Sequence, residues 1–171
     1  MALLNILQYP DPRLKKIAKP ITLSSIISND TKNTIDNMFE TMYQAKGIGL
    51  AATQVDIQLQ IITIDVSEHK NQQLCLINPQ IIDKPSVMIS HEEGCLSFPG
   101  VYAKVKRYSS ITIEFLELSG QKKILHADNL LSICIQHEID HLNGITFFDH
   151  LSPLKQKILE RKLNKLRKQL L

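Results

Sequence analysis

The sequence predicts an α+β fold: antiparallel sheets packed around a central helix, with a further helix at the C-terminus. Three observations predict it. An early segment spaces its apolar residues as a helix does, a long middle consists of short β-branched runs, and the last third holds two helical segments. The 171 residues correspond to about one domain at the usual ~100–200 residues each. We therefore expect residues 1–171 to fold as a single domain with its own core. A composition of 43% hydrophobic and 22% charged residues excludes fibrous and disordered chains. No apolar run approaches the ~18–20 residues of a membrane span. The opening Met1-Ala2-Leu3-Leu4-Asn5 lacks a basic segment followed by an apolar one. Cys75, Cys95 and Cys134 are an odd, sparse set that suits a reducing compartment. The expected location is the cytoplasm, without a membrane partner.

Along the chain, Tyr9-Pro10-Asp11-Pro12 cannot form a regular element, because each proline removes a donor and restrains its neighbour. Between about Ser24 and Lys46, Ile35, Met38, Phe39, Met42 and Tyr43 fall on one helical face, and Gly47 is the expected stop. Short β-branched runs follow at 60–64, 74–77 and 80–82. Alternating runs at 101–105 and 111–115 come next, then Ser119-Gly120 as a turn before a strand at 123–126. Asp128 or Asn129 caps a helix to about Asn143, with Gly144 as its stop. Ser152-Pro153 opens a last helix, serine as cap and proline in the first turn. Its apolar stripe is expected to be Leu154, Ile158, Leu163, Leu166 and Leu170.

Charge divides the chain unevenly. Residues 151–171 carry Lys155, Lys157, Arg161, Lys162, Lys165, Arg167 and Lys168 against Glu160 alone, a net +6; the whole chain is only +3, so the rest is −3. A basic helix on a mildly acidic body suggests an anionic partner, although charge runs are often only a solvated face.

The strongest chemical signal is His137-Glu138-Ile139-Asp140-His141. Residues four apart on a helix share a face, so both imidazoles can reach one metal ion. Glu138, beside the first of them, is placed to take a proton from water held there. Catalytic sites of this kind usually have three protein ligands, so one is missing. Metzincin-type zinc proteases supply it with a later histidine, but after Gly144 this chain has Phe147 in that place, and no methionine follows Met88. Asp149 and His150 are possible but lie just past the helix stop. Cys95, within Glu93-Gly94-Cys95-Leu96-Ser97, is the better candidate, whereas Cys75 and Cys134 sit inside apolar segments as ordinary buried cysteines do.

Gly47-Ile48-Gly49-Leu50-Ala51-Ala52 matches a dinucleotide-binding fingerprint, with Asp65 at a fitting distance. That motif must follow a strand and open a helix; here the order is reversed, so nucleotide binding is set aside. The glycines better serve close approach of backbone to a ligand. Gln54 could steady an oxyanion, or be an ordinary loop glutamine.

Together, residues 47–54, 93–97 and 136–144 resemble, in order and separation, the three signature motifs of peptide deformylases. The resemblance extends from Ile6 to the Ser152-Pro153-Leu154-Lys155 helix, in the compact bacterial form. It implies removal of the formyl group from the formyl-methionine of new polypeptides, with release of formate. It further implies one divalent metal per chain held by Cys95, His137 and His141, ferrous iron first, with zinc, nickel or cobalt able to substitute. Glu138 becomes the general acid and base, and Gln54 with the backbone N–H of Leu96 the oxyanion donors. The backbones of Ile48, Gly49 and Gly94 would hold the substrate like an added strand. Ile48, Leu130, Ile133 and Cys134 would take the methionine side chain, and Arg107 would act near the substrate. His91 stands where relatives have an apolar residue, and Tyr102 where many have arginine. The resemblance also implies docking of the basic C-terminal helix on the ribosome; a monomer is expected. Two other readings share the histidines: a metalloprotease of unusual ligand set, which needs an open cleft, and a structural metal site, which has no use for Glu138.

Overall fold

The computed structural model describes residues 2–170. Five antiparallel strands form the larger sheet, in the order β1 (Gly49–Ala51), β2 (Ile61–Ile64), β3 (Leu74–Asp83), β6 (Ser110–Leu116) and β7 (Lys122–Asp128). The remaining two, β4 (Met88–Cys95) and β5 (Phe98–Tyr108), make a separate hairpin. The helices are α1 (Leu23–Ile26), α2 (Asn29–Gln44), α3 (Asn129–Leu142) and α4 (Pro153–Gln169).

The larger sheet is covered on both faces, which explains why β2 is apolar without alternation. Ile62 and Ile64 join the core shared with Cys134, Ile135 and Leu142 of α3. Ile61 faces the opposite core, with Ile35, Met38 and Met42 of α2. A third cluster holds the hairpin to α4 through Phe98, Val101, Val105, Phe147 and Leu163. The α3 helix thus lies between sheet and hairpin, with its His137–His141 face turned to the hairpin.

Several boundaries differ from expectation. The segment expected as one helix from Ser24 is two. The side chain of Ser28 accepts from the Thr31 N–H at 3.2 Å and caps α2, so α1 stops at Ile26. At the far end Lys46, not Gly47, takes the left-handed conformation (φ 58°). The runs at 74–77 and 80–82 are one strand. Asn78 kinks it at φ 49°, and its side-chain amide bonds both the N–H and the carbonyl of Ile21, while the register with β6 shifts between Ile77 and Gln80. The glycine segment forms β1, and β4 is a strand the composition did not suggest, because its inward residues include His91 and Glu93. Gly144 stops α3 as expected, at φ +71°; a Cβ there would lie 2.4 Å from the Lys15 carbonyl oxygen.

The expected stripe of α4 is only partly right. Leu163 is buried and Leu166 packs with it, but Leu154, Ile158 and Leu170 are 70, 54 and 86% exposed. Leu159 completes the docked face instead. The Tyr9 hydroxyl donates to Glu160 and ties α4 to the N-terminal segment; that bond, with burial, pushes the tyrosine up to about 12.

Candidate metal centre

Three elements meet at the site. The α3 helix presents His137 and His141 from successive turns, β4 ends on Cys95, and the 3-10 turn Ala52–Val55 after β1 supplies Gln54. One ligand atom each from Cys95, His137 and His141 lies within 4.8 Å of the others. The Cys95 Sγ is 3.2 Å from His141 Nε2, close to the ~3.5 Å edge of a tetrahedron built on metal–sulfur and metal–nitrogen bonds of about 2.3 and 2.0 Å. Asp149 and His150, the other possible third ligands, are engaged elsewhere: Asp149 with Lys15 at 2.6 Å and His150 with Asp140 at 2.7 Å.

The ring of His137 is aimed by a partner that the sequence reading did not single out. Its Nδ1 lies 2.8 Å from Glu93 Oε2. Burial alone would raise the Glu93 carboxyl, but hydrogen bonds from His137 and Arg107 outweigh it and hold it at about 2. An ionised carboxylate only accepts, so His137 donates from Nδ1 and turns Nε2 to the site. Behind Glu93, Arg107 pairs with it through Nε at 2.7 Å and with Asp140 through a terminal nitrogen at 2.5 Å. Arg107, expected near the substrate, is therefore buried in an ion network behind His137 and does not line the cavity. Its long side chain is consumed by two carboxylates. Glu93 was legible in principle: it sits two residues before Cys95, so on a strand both side chains turn the same way.

The donor set fits a divalent metal. A thiol and two imidazoles are a borderline-soft set suited to zinc or iron. His141 Nδ1 and Glu138 Oε2 are buried with no hydrogen-bond partner among the described residues. Burial drives the His141 ring far below its ordinary range. At His137 burial acts the same way, but Cys95 and Glu93 outweigh it and favour a positive charge. The ionised Glu93 carboxylate behind His137 places a negative charge beside the three donor atoms, which a cation held among them would offset.

The site opens into a cavity of about 640 Å³. Ile48, Gly49, Gln54, Gly94, Leu96, Leu130, Ile133, Cys134, His137 and Glu138 all line it, with His91 and Tyr102. Gln54 is buried, not a loop residue in solvent. Its Oε1 accepts from the Ala51 N–H at 2.9 Å, which orients Nε2 toward Ser97 Oγ at 3.1 Å and Cys95 Sγ at 3.5 Å. Burial pushes Glu138 up to about 7, the nearby Glu93 adds to it, and the charges of His137 and Arg107 oppose it. A Cβ on Gly49 would stand 2.5 Å from Glu138 Oε1 and 2.7 Å from Cys134 Sγ, and one on Gly94 would stand 2.6 Å from the Tyr102 ring. Both glycines are thus places where backbone closes on side chains.

A thiol, two helical imidazoles and a buried carboxylate at the head of an open cavity define a metallohydrolase centre on an α+β frame. The polypeptide deformylase family model matches residues 3–157. Peptide deformylase 2 of Xanthomonas axonopodis pv. citri is 49% identical over 168 residues, 98% of each chain. The peptide deformylase crystal structure from Legionella pneumophila superposes with a TM-score of 0.93 at 41% identity, covering 99% of this chain and 98% of that one. The one from Ehrlichia chaffeensis in complex with actinonin gives 0.90 at 34% identity, covering 96% and 98%. The chain belongs to the peptide deformylase family, metal-dependent hydrolases that remove the N-formyl group from nascent peptides.

Proposed function

We propose that this chain hydrolyses the formyl amide of formyl-methionyl peptides with Cys95, His137 and His141 as ligands of one divalent metal and Glu138 as general acid and base. The observation that carries this assignment is the convergence of those three donor atoms within 4.8 Å beside the buried Glu138. A divalent ion held there supplies Lewis acidity and acidifies water. Glu138 takes the proton of the attacking water and delivers it to the leaving nitrogen; a carboxyl raised by burial is suited to both tasks near neutral pH. Gln54 Nε2 and the N–H of Leu96 donate to the oxygen of the formyl group as charge builds on it, at a typical worth of about 3–4 kcal/mol per donor.

The backbones of Ile48, Gly49 and Gly94 run along the cavity wall between β1 and β4, where an extended peptide can pair with them. Ile48, Leu130, Ile133 and Cys134 take the methionine side chain, a flexible and polarizable group suited to an irregular apolar pocket. Arg107 acts through Glu93, as a positioning residue for His137. The metal is ferrous iron; zinc, nickel and cobalt fill the same site, and metal analysis of anaerobically purified protein checks this.

Among the described residues no helix is long and apolar enough to cross a membrane, and the protein works as a monomer in the cytoplasm. The basic face of α4 docks on ribosomal RNA. Six of its cations, Lys155, Lys157, Arg161, Lys162, Lys165 and Lys168, are exposed, as are Leu154 and Ile158.

Formate release from formyl-Met-Ala-Ser, set beside internal cleavage of casein, tests the activity. Formate without casein cleavage is expected. Casein cleavage alone would make the protein an endopeptidase, and neither product would leave a structural metal site.

A further inference from the structure

The oxyanion side of the centre is braced by a residue that the reaction itself does not touch. Ser97 is fully buried, and the cavity wall includes its neighbours Leu96 and Phe98 without it. It nevertheless meets both groups that donate to the formyl oxygen. Its Oγ accepts from Gln54 Nε2 at 3.1 Å, and it directly follows Leu96, whose N–H is the second donor. The amide of Gln54 has one acceptor and two donor hydrogens. The Ala51 N–H occupies the oxygen at 2.9 Å and Ser97 takes one hydrogen. The other is left for the metal side, where Cys95 Sγ lies 3.5 Å away. Both ends of the Gln54–Ser97 bond are held from behind by one segment. The Leu7 N–H donates to the Gln54 carbonyl at 2.7 Å and the Tyr9 N–H to the Ser97 carbonyl at 2.9 Å. Thr53 Oγ1 donates to the His141 carbonyl at 3.2 Å, which fixes the turn carrying Gln54 to the helix carrying the histidines.

Resting on the deformylase reading above and on the place it gives Gln54, we propose that Ser97 is a positioning residue for the oxyanion donors. Its hydroxyl keeps the remaining N–H of Gln54 aimed at the formyl oxygen. The Leu7–Tyr9 segment keeps Ser97, and with it the Leu96 N–H, in register with Gln54. Donors aimed in advance act on charge that develops only as the reaction proceeds. A loss of aim therefore lowers turnover without weakening substrate binding. With alanine at this position the Gln54 amide keeps its bond to Ala51 but is no longer held from the nitrogen side.

Steady-state kinetics on formyl-Met-Ala-Ser compare the metal-loaded parent, Ser97→Ala, Gln54→Ala and the double variant, with metal content and melting temperature recorded for each. Ser97→Ala should lose roughly three- to tenfold in kcat, the equivalent of one neutral hydrogen bond. Its KM should stay within about twofold and its metal content should match the parent. Gln54→Ala should lose more, about a hundredfold, as for a missing oxyanion donor. The double variant should fall no more than about twofold below Gln54→Ala, because Ser97 then has nothing to aim. Ser97→Thr and Ser97→Val carry the same added methyl group, so any crowding is shared and only the hydroxyl differs. Ser97→Thr should turn over several-fold faster than Ser97→Val, and this pair decides the matter if Ser97→Ala fails to fold. An unchanged kcat in Ser97→Ala, losses that multiply in the double variant, a loss confined to KM, or Ser97→Thr no faster than Ser97→Val would overturn the proposal. A parent that releases formate and is unaffected by Gln54→Ala would overturn the role of Gln54 and this one with it. A parent that releases no formate would overturn instead the deformylase reading on which both rest.

Discussion

At the scale of single residues, the three gathered donor atoms and the buried Glu138 beside them make different predictions. Cys95→Ala should lose most of its metal after dialysis, while Cys75→Ala and Cys134→Ala keep it. Metal content by mass spectrometry decides this, and full occupancy in Cys95→Ala would remove the thiol from the ligand set. Glu138 is adjacent to a ligand without being one of the three gathered donors. Glu138→Ala should therefore keep metal and fold yet lose about 10²–10⁴ in kcat, the range of a positioned acid and base. Gly49→Ala tests the close approach directly: its methyl group would press on the Glu138 carboxylate and the Cys134 sulfur, so activity should drop sharply with little change in melting temperature. The helical histidine pair was legible in the sequence because a four-residue spacing has one geometric meaning on a helix. Glu93 and the Arg107–Asp140–His150 network behind it were not singled out, because a salt bridge between distant segments leaves no local pattern. The place given to Arg107 failed for that reason.

At the scale of elements, legibility followed how local the determining force is. Ser152, Pro153 and Gly144 mark helix ends through their own backbone and side-chain chemistry, and those ends fell where expected. The docked face of α4 is set by what it meets, namely Phe98, Val101 and Phe147, and the periodicity of leucines could not choose among overlapping stripes. The same contrast predicts stability. Leu163→Ala should cost about 2–5 kcal/mol, as for a fully buried leucine, whereas Leu154→Ala should stay within about 0.5 kcal/mol as an exposed substitution does; chemical denaturation compares them. A second element-scale prediction concerns the end of β2. Asp65 is buried, and although burial alone would raise its carboxyl, hydrogen bonds from Ser67, Tyr43 and Gln72 hold it below the ordinary range. A depressed carboxyl contributes stability above its unfolded pKa and loses it as pH falls through the folded one. Asp65→Asn should thus be less stable than the parent at neutral pH, with the gap closing as the medium is acidified from about pH 5 toward pH 2.

At the scale of the whole molecule, charge and catalysis sit apart. The centre lies between β1, β4 and α3, while the net +6 is concentrated in the last 21 residues, on the outer side of the third core. Leu159, Leu163 and Leu166 account for the docking of α4; the exposed cations and the exposed Leu154 and Ile158 contribute nothing to it. A helix needed only for packing could carry mixed charge on its solvent side. An enzyme whose substrate emerges from the ribosome gains from a face that binds RNA phosphate, and such binding weakens steeply with salt because counterions are released. Truncation after Ser152 would confuse the matter, since it removes Leu163 from the core. Reversing charge alone keeps the leucines: Arg161, Lys165 and Lys168 are exposed and become glutamates. This triple variant should release formate from short formyl peptides at the parent rate, because it leaves the cavity untouched. It should fail to co-sediment with ribosomes at low salt, under conditions where the parent pellets and is released by added salt. Equal co-sedimentation of variant and parent would reduce the basic face to a solvated one and leave α4 as a packing element only.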